Sequence, residues 1–182
     1  MSGRPPAGAE PVLWVDEHVH AAECRRFDAS VVHGPTEDDC DIWVKAIGGD
    51  GYGRFYITRN GRGSCVRPHR YALARALRRP LAPEVFGLHG CNNPLCVKVS
   101  PDRKHVYEGD QKENMIWMVR ARRGSSGGSG PRRDRLADRR ARSVALREAA
   151  RQGWDRAAIN DVLQRGQEPG LFDVNRLFGD EA

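Results

Sequence analysis

The segment running from Phe86 to Arg120 constrains this chain more than any other. His89 closes a short apolar run, Val85-Phe86-Gly87-Leu88. Cys91 and Cys96 follow on a turn-rich loop, and His105 comes after them. Two thiols beside Asn92-Asn93-Pro94 have little apolar surface to bury against. Such a loop closes more readily around a metal than as an ordinary core turn. His105-Val106-Tyr107-Glu108 then alternates and is rich in strand formers. Asp110 and Glu113 form a capping box at the start of a helix, with Asn114 one turn in. Met115, Ile116, Met118 and Val119 supply its apolar stripe, which stops near Arg123-Gly124. The expected order is strand, metal-tethered loop, strand, helix.

Cys91, Cys96 and His105 provide three metal ligands. Cys40, at the head of the expected folded core, is the natural fourth, with Cys24 and Cys65 as rivals. A Cys₃His set is a closed structural site suited to tetrahedral Zn²⁺. With 39% hydrophobic residues the chain builds a modest core, and a bound metal would add to it. The five cysteines are odd in number, and no apolar leader follows Met1-Ser2-Gly3-Arg4-Pro5-Pro6. No run is long enough to span a membrane. These features fit a cytoplasmic protein with reduced thiols. The net charge of +6 favours an anionic partner such as nucleic acid.

Residues 1–35 read as an N-terminal extension, rich in Gly, Pro and Ala at first and weakly helical over 11–33. Trp14, Val15 and Cys24 are its anchors, and His18, His20 and His33 read as surface residues. The folded core is expected to start at Cys40-Asp41-Ile42-Trp43-Val44. Gly48-Gly49-Asp50-Gly51 is a turn and Tyr52 to Thr58 a strand. Asn60-Gly61 is a strong hairpin signal, with Cys65-Val66-Arg67 returning. Pro68 to Leu77 is a helix with Pro near its start, ended by Pro80 and Pro83; His69 packs or orients it. The core domain is 36–124, a Gly/Ser linker spans 125–131, and 132–182 is a helical C-terminal region. In that region a basic helix runs over 132–152 until Gly153, and Asp155 caps a second helix carrying Ile159, Val162 and Leu163. This pair could grip DNA, form a dimerisation hairpin, or be a solvated tail. Leu171-Phe172 and Leu177-Phe178 are apolar enough to dock.

Together, His89-Gly90-Cys91-Asn92-Asn93-Pro94-Leu95-Cys96, His105 and the Glu113-Asn114 pair resemble the HNH or His-Cys box (ββα-metal) endonucleases, of the zinc-containing phage or mobile-element type. Asn114 lies nine residues past His105, as in that family's E-N pair. The Cys40-Asp41-Ile42-Trp43 entry, the Gly51-Tyr52-Gly53-Arg54-Phe55 hairpin and His69-Arg70-Tyr71 extend the likeness over about residues 40–124. The Cys96 to His105 spacing is longer than is usual there. The resemblance implies an α+β fold: a small zinc-stabilised ββα-metal nuclease core preceded by a β-hairpin and helix, with a C-terminal helical appendage. It implies a DNA endonuclease that hydrolyses phosphodiester bonds to 5′-phosphate ends.

In that scheme His89 is the general base for water, and Asn114 holds a catalytic Mg²⁺ through its amide oxygen. Many relatives carry Asp just before the base, where this chain has Leu88. An Arg from the hairpin faces the scissile phosphate; Arg54 and Arg62 are the catalytic candidates. Arg54, Arg59, Arg62 and Arg67 are the nucleic-acid-binding candidates. The partner is double-stranded DNA, and a homodimer is one route to a double-strand break. The alternative is a non-catalytic zinc-stabilised DNA-binding or regulatory module.

Overall fold

A computed structural model describes residues 12–116 and 132–164. Helix α1 (Ala21–Asp28) leads to two short strands, β1 (Val31–Val32) and β2 (Ile42–Trp43). The hairpin β3 (Phe55–Arg59) and β4 (Arg62–Val66) follows, then α2 (Pro68–Leu77). Next come β5 (Phe86–His89), β6 (Val106–Gly109) and the helical segment α3, residues 111–116. Helices α4 (Arg132–Ala150) and α5 (Arg156–Gln164) end the described chain. The strands form three antiparallel pairs, β1–β2, β3–β4 and β5–β6. The class is α+β.

Local chemistry explains the hairpin. Phe55 and Ile57 point into the core while Tyr56 and Thr58 point out, the period of a half-buried strand. Asn60 and Gly61 both take positive φ, 51° and 72°, as the tight turn between twisted strands requires. Pro68 opens α2, where its missing N–H costs nothing, and Arg78 ends the helix in the left-handed region.

An aromatic cluster ties these elements together. Phe27 of α1 stacks on Tyr71 of α2 at 4.7 Å between ring centroids. Phe55 meets the same ring edge-on at 4.9 Å, and Trp43 meets Phe55 at 5.5 Å. Such pairs contribute about 0.5–1.5 kcal/mol each beyond simple burial. The Tyr71 hydroxyl lies 3.3 Å from the Cys24 thiol. Leu13 bridges to Leu81, and Val15, Cys24 and Phe27 are buried in the same core. The folded unit therefore reaches back to Leu13, ahead of Cys40.

The C-terminal helices belong to that core too. Leu146, Ala150 and Ile159 are buried in it, Arg156 pairs with Asp39 at 2.8 Å, and Asp155 caps α5 by accepting from the Ala158 N–H at 3.0 Å. The helices are therefore docked, not an appendage standing apart. The sequence hides this because the buried residues of α4 are few and lie between charged ones. Among the described residues no helix is long and apolar enough to cross a membrane. The readings made for 1–10, the 125–131 linker, Met118, Val119, Leu171-Phe172 and Leu177-Phe178 lie outside the described residues.

Candidate metal centre and active site

Cys40, Cys91, Cys96 and His105 come together, with one ligand atom from each lying within 4.8 Å of the others. The Cys40 and Cys96 sulfurs are 3.6 and 3.7 Å from His105 Nδ1. A tetrahedron with zinc–ligand bonds of about 2.0–2.3 Å has edges of roughly 3.5–3.8 Å; these two edges match it, and the chemistry of the donor set is one that could bind a metal such as zinc. Backbone pairing sets the geometry. Ile42 bridges to Cys96, the Trp43 N–H donates to the Leu95 carbonyl at 2.9 Å, and the Val97 N–H donates to the Asp41 carbonyl at 2.8 Å. That holds the 91–96 loop against the strand that follows Cys40. Inside the loop, Asn93 Oδ1 accepts from the Leu95 N–H at 3.0 Å.

The long spacing from Cys96 to His105 is taken up by a return turn. The Ser100 N–H donates to the Val106 carbonyl at 2.9 Å, and Arg103 turns the chain at φ 65°. His105 arrives already oriented: its Nε2 lies 2.9 Å from the Glu37 carbonyl. A carbonyl only accepts, so Nε2 carries the proton and Nδ1 offers its lone pair to the cluster. Cys24, bonded to Tyr71, and Cys65, exposed on β4, are not part of the group.

The three thiols divide their charge unevenly. Hydrogen bonds from Cys40 and Cys96, with a further contribution from His89, hold the Cys91 thiol far below its ordinary range. The hydrogen bond to Cys91 is the main cause pushing Cys40 up to about 12, and burial is the main cause raising Cys96. The cluster thus carries one thiolate, and a divalent cation that displaced the protons of the other two thiols would gain two more.

His89 stands at the end of β5, opposite Val106 of β6. Its ring packs edge-to-face on His69 at 4.6 Å and lies 6.2 Å from the Tyr52 ring. Both its ring nitrogens are shielded, with the Cys91 thiol as the neighbour one of them serves, and His69 Nδ1 has no hydrogen-bond partner among the described residues. Burial, then the neighbouring His89, Arg67, Arg70 and Arg54, push the His69 imidazole well below its ordinary pKa, so it stays neutral.

The arginine candidates separate into two groups. Arg54 and Arg67 converge on Asp50 at 2.8 and 3.0 Å. Burial raises the Asp50 carboxyl, but Arg54, the Tyr52 N–H and Arg67 outweigh it and hold the group below the usual range. Arg67 also lies over the Tyr52 ring at 4.4 Å. At the other end of the hairpin, Arg59 is bound to Glu23 and the Trp14 carbonyl, and its register partner Arg62 is exposed beside the turn. Four strand steps, about 13 Å, separate these from the open end. The structure therefore brings Arg54 and Arg67, not Arg59 or Arg62, to the His69–His89 face.

The capping box forms as expected. The Glu113 N–H donates to Asp110 Oδ1 at 2.7 Å, and the Asp110 N–H reaches Glu113 Oε2 at 3.4 Å. Asn114, half-buried, sits on α3, the segment that continues from β6, while β6 pairs with the strand that ends at His89. Sequence reasoning gave His69 a packing role and Tyr52 and Arg139 no role in a site, yet they meet here: Tyr52 lies 5.5 Å from His69, and Arg139 of α4 lies over Tyr52 at 5.8 Å. The only signal in the sequence was His69-Arg70-Tyr71 following the Tyr52-Gly53-Arg54 strand. No protein-family model matches the chain, and neither a curated protein nor a solved structure matches it.

Proposed function

We propose that this chain is a metal-dependent DNA endonuclease of the HNH type, hydrolysing phosphodiester bonds to 5′-phosphate and 3′-hydroxyl ends. The observation that carries the reading is His89: a shielded imidazole set between the Cys91 thiol and the His69 ring, 6.2 Å from the Tyr52 ring that Arg67 covers. Unpaired buried nitrogens cost about 1–3 kcal/mol each. With one His89 nitrogen serving the Cys91 thiol, the other is left for a use of its own, and accepting a proton from an attacking water is such a use. Arg54 and Arg67 would balance charge growing on the phosphate, once a phosphate draws them from Asp50. The amide oxygen of Asn114 suits a hard divalent cation such as Mg²⁺, whose chemistry there would be to stabilise the leaving 3′ oxygen. The zinc would be structural, since four protein ligands leave it no open position. Each site cuts one strand, so a double-strand break needs two copies or two successive nicks.

Two observations favour the alternative, a zinc-stabilised DNA-binding module. The His89 nitrogens are covered in this conformation, and among the described residues no second group of three or more His, Cys, Asp or Glu side chains converges as a metal site would. Product chemistry separates the readings. Plasmid nicked by the protein in Mg²⁺ should reseal with DNA ligase without prior phosphorylation. Nicks that ligase does not reseal would contradict hydrolysis to 5′-phosphate, and an absence of nicking would favour the binding module.

A further inference from the structure

Tyr52 is the point at which the C-terminal helix meets the proposed active face. Its ring is 5.5 Å from His69 and 6.2 Å from His89, and the guanidinium carbons of Arg67 and Arg139 lie over it at 4.4 and 5.8 Å. Arg67 comes from the start of α2 and Arg139 from α4, 72 positions apart in the chain. Gly51 makes the approach possible. It adopts φ +81°, and a side chain there would lie about 3.1 Å from the Arg139 backbone. The 48–53 turn is thus shaped to receive α4 at this residue. Arg54 and Arg67 share the single carboxylate of Asp50, and neither the ion pairs nor the hydrogen bonds of the described residues give Arg139 a carboxylate partner. Two guanidinium groups share one carboxylate and a third lies over the ring that Arg67 covers, so positive charge is in excess on this face.

Resting on the nuclease reading above, we propose that Arg139 carries α4 into the nucleic-acid surface, where with Arg54 and Arg67 it grips the phosphate backbone of double-stranded DNA next to His89. The face gains its charge from guanidinium groups, which match phosphate oxygens in pairs. An aromatic ring beneath two of them holds their planes without neutralising them. Contacts of this kind position DNA and carry no base sequence. The C-terminal helices are therefore part of the working surface. Without them, the 36–124 segment would lack one of the three basic groups.

The test is binding of the full, zinc-loaded chain to a labelled duplex without Mg²⁺, read by fluorescence anisotropy over a range of salt. Arg139→Ala should weaken binding about three- to tenfold on any sequence and lower the salt slope by about 1. Arg139→Lys should keep the slope. Arg151→Ala removes the same charge about 18 Å along the helix, where Arg151 pairs with Glu148, and should leave binding unchanged. Equal zinc content and melting temperature establish that each variant is folded. Wild-type affinity and slope in Arg139→Ala, or an equal loss in Arg151→Ala, would overturn the assignment. So would tight binding of single-stranded RNA with no binding of the duplex. If Arg139→Ala binds normally while His89→Ala abolishes nicking, this inference falls and the nuclease reading stands. If the wild type binds no nucleic acid, both fall.

Discussion

The rings of His69 and His89 meet edge-to-face with centroids 4.6 Å apart, and His69 is almost wholly buried. The neutral His69 ring is the wall against which His89 is held. A base displaced by even 1 Å can lose about 100-fold in rate. His69→Ala should therefore lower nicking about 10- to 100-fold while duplex affinity and zinc content stay at wild-type levels. A parallel loss of DNA binding would mean that His69 supports the fold as a whole and not the placement of His89. His69→Gln, which keeps a polar group of similar reach, should recover part of the rate.

The Cys₃His group should hold one zinc per chain. Because a site of this kind contributes its binding energy to folding, removing zinc with a strong chelator should unfold the chain or lower its melting temperature sharply. Cys96→Ala and Cys40→Ala should do the same. Cys65→Ala, on the exposed face of β4, should keep full zinc content by elemental analysis. Full zinc content in Cys40→Ala would mean that the fourth ligand is another residue.

Zinc affinity should rise with pH. In the metal-free cluster, Cys91 is held ionised by its neighbours, while Cys40, at about 12, and Cys96 are held protonated. Zinc must then displace about two protons, so its affinity should change about 100-fold per pH unit between pH 6 and 8. For folding without metal, Cys91 sets the sign below the ordinary thiol range: its depressed group makes stability rise with pH there. The raised Cys40 and Cys96 groups act only above that range, where their contribution is lost as pH climbs through their folded values. Calorimetry in buffers of different ionisation heat counts the protons released, and a count near zero would contradict this picture.

Gly51→Ala should destabilise the protein by about 1–3 kcal/mol, because the site demands positive φ and a methyl group meets the Arg139 backbone. The same change at Gly61, positive in φ but open around its Cα, should cost less. Equal effects at the two positions would remove the argument that Gly51 seats α4. Thermal melts of both variants decide it.

What could be read from the sequence was what is encoded locally. Asn60-Gly61 specified a hairpin turn, Pro68 a helix start, and Asp110 with Glu113 a capping box, because each acts within a few residues. Cys91, Cys96 and His105 were legible as ligands through residue type and polar surroundings. Cys40 could be ranked but not fixed, since choosing it over Cys24 and Cys65 required knowing that β2 lies against the 91–96 loop. His69 was read as packing because nothing local places it on His89. Arg62 was an equal candidate with Arg54, and Arg59 and Arg67 stood behind them, until the hairpin register put Arg59 and Arg62 at the far end. The docking of α4 was hidden because its buried residues, Leu146 and Ala150, are sparse, and its fit depends on a glycine almost ninety residues earlier.

The central claim, that His89 and Asn114 form a phosphodiester-hydrolysing site, meets its most direct test in supercoiled plasmid with Mg²⁺. Wild type, His89→Ala and Asn114→Ala should be compared at equal zinc content and equal melting temperature. The account predicts that the wild type converts supercoiled to nicked circles and that each substitution lowers the rate at least 100-fold. Equal nicking by all three, or none by the zinc-loaded wild type, would contradict it.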